Sequence, residues 1–215
     1  MASYPSVHAL LHDFYLTPGN RITPYADDLA YYARRMLNNA DLVNTLDRAL
    51  TLYRLHKKQI KAIPTNEDRD EMIEVFRILT SYFEPVIDDL AIYSAFELFA
   101  KSKLLRNLFI IHTISKPSDL SSKQKKAPIH VNTVRAYDRK GIALKFENHT
   151  IGSDSLFRMS HTKYYPFGNT VRTGLKEIRR RRNFVHFIPP FAWSVSESML
   201  KAIEYLNKEL PELDK

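Results

Sequence analysis

The sequence predicts a mainly α protein, an antiparallel helical bundle carrying a small β-hairpin insertion. Three observations carry that prediction. Apolar residues recur in a three-four alternation through most of the first half, as on one face of a helix. Only the stretch 131–146 combines β-branched runs with turn chemistry. The 215 residues, 44% hydrophobic and 12% aromatic, suit one domain with an elaboration and supply a real core.

Residues 1–24 hold scattered aromatics and three prolines, and read as an irregular lead-in. From Tyr25 onward, Leu29, Tyr32, Met36, Val43, Leu46, Leu50 and Tyr53 trace one long amphipathic helix ending near Ile60, with Asn39 interrupting the stripe. Asn66 is a candidate cap for the next helix. Acidic Glu67, Asp68, Asp70 and Glu71 follow in its first turn, and Met72, Val75, Leu79 and Tyr82 form its stripe. Pro85 suits a first helical position, and Val86, Leu90, Tyr93, Ala100 and Leu104 carry the spacing toward His112. A basic, Ser-rich loop follows (Lys116, Lys123, Lys125, Lys126). The runs 131–136 and 142–146, joined by Asp138-Arg139-Lys140-Gly141, then read as a hairpin. Helix resumes at Asn169, read as its N-cap, through Val171, Leu175 and Ile178 into an arginine run stopped by Pro189-Pro190. Ser194-Val195-Ser196-Glu197 is a capping-box pattern before a last helix with Met199, Ile203, Leu206 and Leu210 on one face. The expected organisation is a single helical domain, 1–215, with 116–168 as the loop and hairpin insertion.

Several function classes drop out. No apolar run approaches the roughly 18 residues of a membrane span, and Met1-Ala2-Ser3-Tyr4-Pro5 lacks a secretory signal's basic start. Without cysteine there are no disulfides or thiolate zinc sites. His112, His130, His149 and His161 show no metal-ligand spacing, and there is no phosphate-binding glycine loop or nucleophile elbow. The expectation is a cytoplasmic protein without metal or cofactor. Net charge is +8, but residues 1–100 carry 10 Lys/Arg against 14 Asp/Glu while the remainder carry 22 against 10. That asymmetry predicts a polyanion surface built by the C-terminal half. Phe14, Tyr15, Tyr164, Tyr165 and Phe167 are candidates for base stacking or for core packing.

The most informative stretch is Ile178-Arg179-Arg180-Arg181-Arg182-Asn183-Phe184-Val185-His186-Phe187. Four successive arginines on a helix spread around its circumference, so at least one falls beside the apolar stripe of Leu175, Ile178 and Val185. There it must pair with an anion or face an interface. An imidazole near several guanidiniums is biased toward its neutral, basic form. Arginine and histidine together suffice to cleave RNA without metal. The 2′-hydroxyl is the nucleophile, histidine moves protons, and arginine holds phosphate oxygens.

This stretch resembles the motif of HEPN domains, helical bundles marked by an Arg, four to six intervening residues, then His near a terminal helix. Arg181 and His186 match with four intervening residues, Arg180 with five and Arg179 with six. Ser94-Ala95-Phe96-Glu97-Leu98-Phe99-Ala100-Lys101 is similar to the Glu-bearing helix that many such domains pack beside the motif. The resemblance spans roughly 25–113 and 169–209. It implies an endoribonuclease of a toxin–antitoxin or phage-defence system, acting on RNA as a homodimer and met by an antitoxin or defence-system partner protein. It assigns catalysis to Arg181 and His186 with Asn183 and Glu97 in support, and RNA binding to Lys176, Arg179, Arg180 and Arg182. In many members a polar residue directly follows the Arg, and here Asn183 follows Arg182, three residues before His186. Arg182 and His186 would share a helix face, whereas Arg181 and His186 would lie about 140° apart. Both arginines stay open as the partner.

Overall fold

The computed structural model describes residues 6–17, 21–44, 46–63, 70, 85–115, 129–142, 144–182 and 195–211, and over these the chain is mainly helical with a two-stranded antiparallel sheet. The expected helix over 66–82, Asp70 apart, the basic loop over 116–128, and the prolines after the arginine run lie outside the described residues.

Where it is described, the lead-in is helical rather than irregular. Residues Val7–Leu16 form helix α1, capped by the Ser6 hydroxyl, which accepts from the Ala9 N–H at 3.2 Å. Of its three prolines, Pro24 lies within the described residues and sits in the first turn of α2 (Ile22–Asn38), where no N–H is missed. The single long helix expected over 25–60 is instead α2, a short α3 (Asp41–Asn44) and α4 (Leu46–Ala62), broken at Asn39-Ala40. Its buried stripe is also different. Ala26, Leu29, Ala30, Ala33, Leu37 and Ala40 are buried, while Tyr32 and Met36 are 53% and 40% exposed. Two rows share helical spacing here, and the row that is buried is the one rich in alanine.

Pro85 opens α5 (Pro85–Arg106), as its sequence position predicts. The helix ends in a Schellman turn: Phe109 N–H reaches Leu104 C=O, Leu108 N–H reaches Leu105 C=O, and Leu108 takes φ +59°. Strand β1 (His112–Ser115) follows.

The expected hairpin over 131–146 is overturned. Residues Val131–Arg139 form helix α6, capped by the His130 ring, with Val131 and Val134 buried on one face. Gly141, read as a hairpin-turn residue, is the left-handed residue closing a second Schellman turn, with Ile142 N–H on Tyr137 C=O. A hairpin turn and a helix terminus both require positive φ, which is why the glycine misled. Strand β2 (Lys145–Thr150) pairs not with 131–136 but with β1, in the register His112↔Thr150, Ile114↔Phe146 and Ser115↔Lys145. Short helices α7 (Ser153–Leu156) and α8 (Met159–Thr162), then α9 (Asn169–Arg182) and α10 (Glu197–Glu209), complete the fold.

The residues group into two compact units, one from 1–30 and 97–166, the other from 31–96 and 167–215. In the first, Ile114 and Phe146 are buried under Tyr15, whose ring stacks on Phe146 at 5.4 Å. The Tyr15 hydroxyl accepts from Ile111 N–H at 3.2 Å and lies 2.8 Å from His112 Nδ1, so Tyr15 is core rather than a stacking platform. Tyr165 is likewise buried, its hydroxyl donating to Leu156 C=O.

His161 is only 3% exposed, and burial, with Arg158 adding, lowers its pKa to about 4. Its folded pKa lies below the ordinary 6.5, so its contribution to stability is present above that value and is lost as pH falls toward 4. At about 1.4 kcal/mol per pKa unit, stability falls by roughly 3 kcal/mol across this window. Urea midpoints measured from neutral pH downward should show that slope, and His161→Gln should flatten it; an unchanged slope would mean that other groups set it.

Candidate functional site

The second unit contains the arginine run. Helix α9 starts one residue earlier than its sequence suggests: Gly168 C=O accepts from Arg172 N–H, which makes Asn169 the first helical residue rather than the cap. Gly174, Leu175, Ile178 and Arg181 form the buried stripe, while Asn169, Thr173, Lys176 and Arg180 form the exposed face. The arginine that must lie beside the apolar stripe is therefore Arg181. Arg179 and Arg182, on the flanks, are half-buried.

Arg181 is 7% exposed, and its Nε lies 2.8 Å from Oδ2 of Asp89, itself 1% exposed, on the first turns of α5. The atoms are close but poorly aligned for a hydrogen bond, so the contact is chiefly one of opposite charges. Its Nη1 also reaches Met199 Sδ at 3.1 Å. Burial pushes the Asp89 carboxyl up to about 7, with Asp88 adding and the guanidinium opposing. Burial also lowers the Arg181 pKa, and Asp89 opposes that. Beside this pair the Arg182 guanidinium stands 4.7 Å over the Tyr93 ring, a cation–π contact.

Helix α10 closes the other side of α9. Its N-cap is Ser196, two residues beyond the start of the expected capping box; its hydroxyl accepts from Met199 N–H at 3.1 Å and donates to Glu177. Met199, Ile203, Leu206 and Leu210 are all buried, as their spacing predicts. Gly174 lets the two backbones touch, since a Cβ there would fall 1.9 Å from the Ser198 carbonyl oxygen. On the far side Arg34 ties α2 to the end of α10, donating to Pro211 C=O at 2.7 Å and to the side chain and carbonyl of Asn207.

Glu97, expected to orient the motif arginine, lies in the first unit, where its carboxylate accepts the Ser153 hydroxyl; burial lowers the pKa of neighbouring Lys101, and the Glu97 charge partly offsets that. The carboxylate on Arg181 is that of Asp89, two turns earlier on the same helix. The signal for it was present: Asp89 precedes Ile92, Tyr93 and Phe96 at helical spacing, an acid on a buried face that needs a cation. Asn183 and His186 lie outside the described residues. Lys176 and Arg180 are exposed and have no acidic partner among the described residues. Comparison with protein-family models, with characterised proteins and with solved structures finds no match to this chain.

Proposed function

We propose that this chain is a HEPN-like, metal-independent endoribonuclease working as a homodimer in a bacterial toxin–antitoxin or phage-defence system, with RNA as substrate and an antitoxin or defence-system protein as restraint. The observation that carries this reading is the division of labour inside the arginine run. Arg181 is held in a buried pair with Asp89, which sets the roll of α9 and puts Arg180 and Lys176 on its exposed face, where a polyanion can reach them. On that geometry Arg182, rather than Arg181, is the arginine that takes the scissile phosphate, one helical turn of sequence before His186. Lys176, Arg179 and Arg180 hold the flanking backbone. His186 removes the 2′-hydroxyl proton, the 2′-oxygen attacks phosphorus, and the bond to the 5′-oxygen breaks. That oxygen leaves as a hydroxyl after taking a proton, and a 2′,3′-cyclic phosphate remains.

The test is RNA cleavage in EDTA with end-group analysis. His186→Ala and Arg182→Ala should each lose at least about a hundredfold in rate with the fold intact, a typical proton-transfer or charge-stabilisation effect. A wild type that cuts nothing but binds RNA with steep salt dependence points to the second reading, a non-catalytic RNA-binding module. Lys176 and Arg180, exposed and without an acidic partner among the described residues, favour that reading.

A further inference from the structure

The charge asymmetry of the chain conceals a basic helix in its acidic half. Helix α4 carries Arg48, Arg54, Lys57, Lys58 and Lys61 against the single acid Asp47. Its apolar side is buried through Leu46, Ala49 and Leu50, and α4 packs against α10. Lys57 is compensated, its Nζ 2.9 Å from Glu197 of α10 and its charge over the Tyr53 ring. Arg54, Lys58 and Lys61 stand exposed at i, i+4 and i+7, with no acidic partner among the described residues, beside Leu55, which is 50% exposed.

Like charges at these spacings repel and weaken a helix. The helix dipole accounts for Lys61 in the last turn, but Arg54 lies two turns earlier, beyond that field. We infer that this row is a second contact surface for an RNA backbone, on the same folded unit as the arginine run and separate from it in sequence. Along the helix axis its charges are spaced by about 6 Å and about 4.5 Å, at 1.5 Å per residue, so that successive side chains can reach successive phosphates. Long flexible lysine and arginine stems suit such contacts, and no base is read. The surface therefore adds affinity and register to the proposed nuclease without adding sequence preference.

This inference rests on the RNA reading proposed above, and one experiment separates the two. Binding of a fluorescent 2′-O-methylated RNA oligonucleotide, which has no 2′-hydroxyl to attack, is followed by anisotropy from about 50 to about 200 mM salt. The triple variant Arg54→Gln, Lys58→Gln, Lys61→Gln should reduce the log–log salt slope by about 2, at about 0.7 per single-strand phosphate contact, and weaken low-salt binding about tenfold or more. Its helical circular dichroism should persist, with a melting temperature no lower than wild type because repulsion is relieved. The charge-preserving set Arg54→Lys, Lys58→Arg, Lys61→Arg should bind as wild type does. If wild type binds with a steep slope and the glutamine variant keeps that slope, the α4 surface is overturned while the RNA reading stands. If wild type shows no salt-dependent binding, both fall.

Discussion

Replacing Asp89 with alanine is expected to destabilise the arginine-bearing unit by about 3–5 kcal/mol, the usual cost of stranding one partner of a buried ion pair. The carboxylate is 1% exposed, and its loss leaves the Arg181 guanidinium, 7% exposed, without its 2.8 Å anion. Asp89→Asn should fall between, since the amide can accept a hydrogen bond but carries no charge. The informative variant is the double replacement Asp89→Leu with Arg181→Met, which exchanges the pair for apolar volume. Such exchanges are often neutral or stabilising, so chemical denaturation should return it to within about 1 kcal/mol of wild type. A single Asp89→Ala variant as stable as wild type would show that the pair is not buried in solution. If Arg181 only anchors, the double variant keeps RNA cleavage. If Arg181 itself carries the phosphate, the double variant is stable and dead.

The second large effect is expected at Gly174. Alanine there gains about 1 kcal/mol of helix propensity. Its Cβ would fall 1.9 Å from the Ser198 carbonyl oxygen, 2.3 Å from its carbonyl carbon and 2.8 Å from Met199 N. All three are backbone atoms, so no rotamer change relieves the clash and α9 must part from α10. Overpacking of this kind typically costs 1–3 kcal/mol, and a backbone-on-backbone collision belongs at or above the top of that range. We therefore expect Gly174→Ala to lose about 3 kcal/mol net, read as a lower denaturation midpoint. Gly168→Ala, where nothing lies within 4 Å of the new methyl, serves as the control and should be near neutral. If the two variants denature alike, the helices are not in backbone contact.

What could be read from the sequence follows which physical signal each element carries. Helix α10 was legible because its stripe of Met199, Ile203, Leu206 and Leu210 has no competing row. Helix α2 was misread because two rows of apolar residues share one period, and hydrophobicity favours Tyr32 and Met36 over the alanines that packing selects. Helix α6 was misread because β-branched valines and a left-handed glycine serve strands and helix ends alike. Within the candidate site, a buried arginine in the run was foreseeable from angular spacing alone. Its partner was not found, because the stripe was followed through Leu90, which is exposed, instead of through the adjacent Asp89. Pairing across elements far apart in the chain is a tertiary fact that periodicity carries only as an unexplained charge on an apolar face.

The interleaving of the two units has a consequence for synthesis. A nascent chain that has emerged to residue 166 already holds both segments of the first unit, whereas the second still lacks everything from 167 onward. Until then Asp89 has no Arg181, α4 has no α10 to cover it, and the carbonyls that receive Arg34 are still untranslated. At about 5–20 residues per second, that interval lasts a few seconds. The second unit, arginine run included, can therefore close only after residues 167–211 have emerged, and until then its segment 31–96 waits with the faces that α9 and α10 will cover still open.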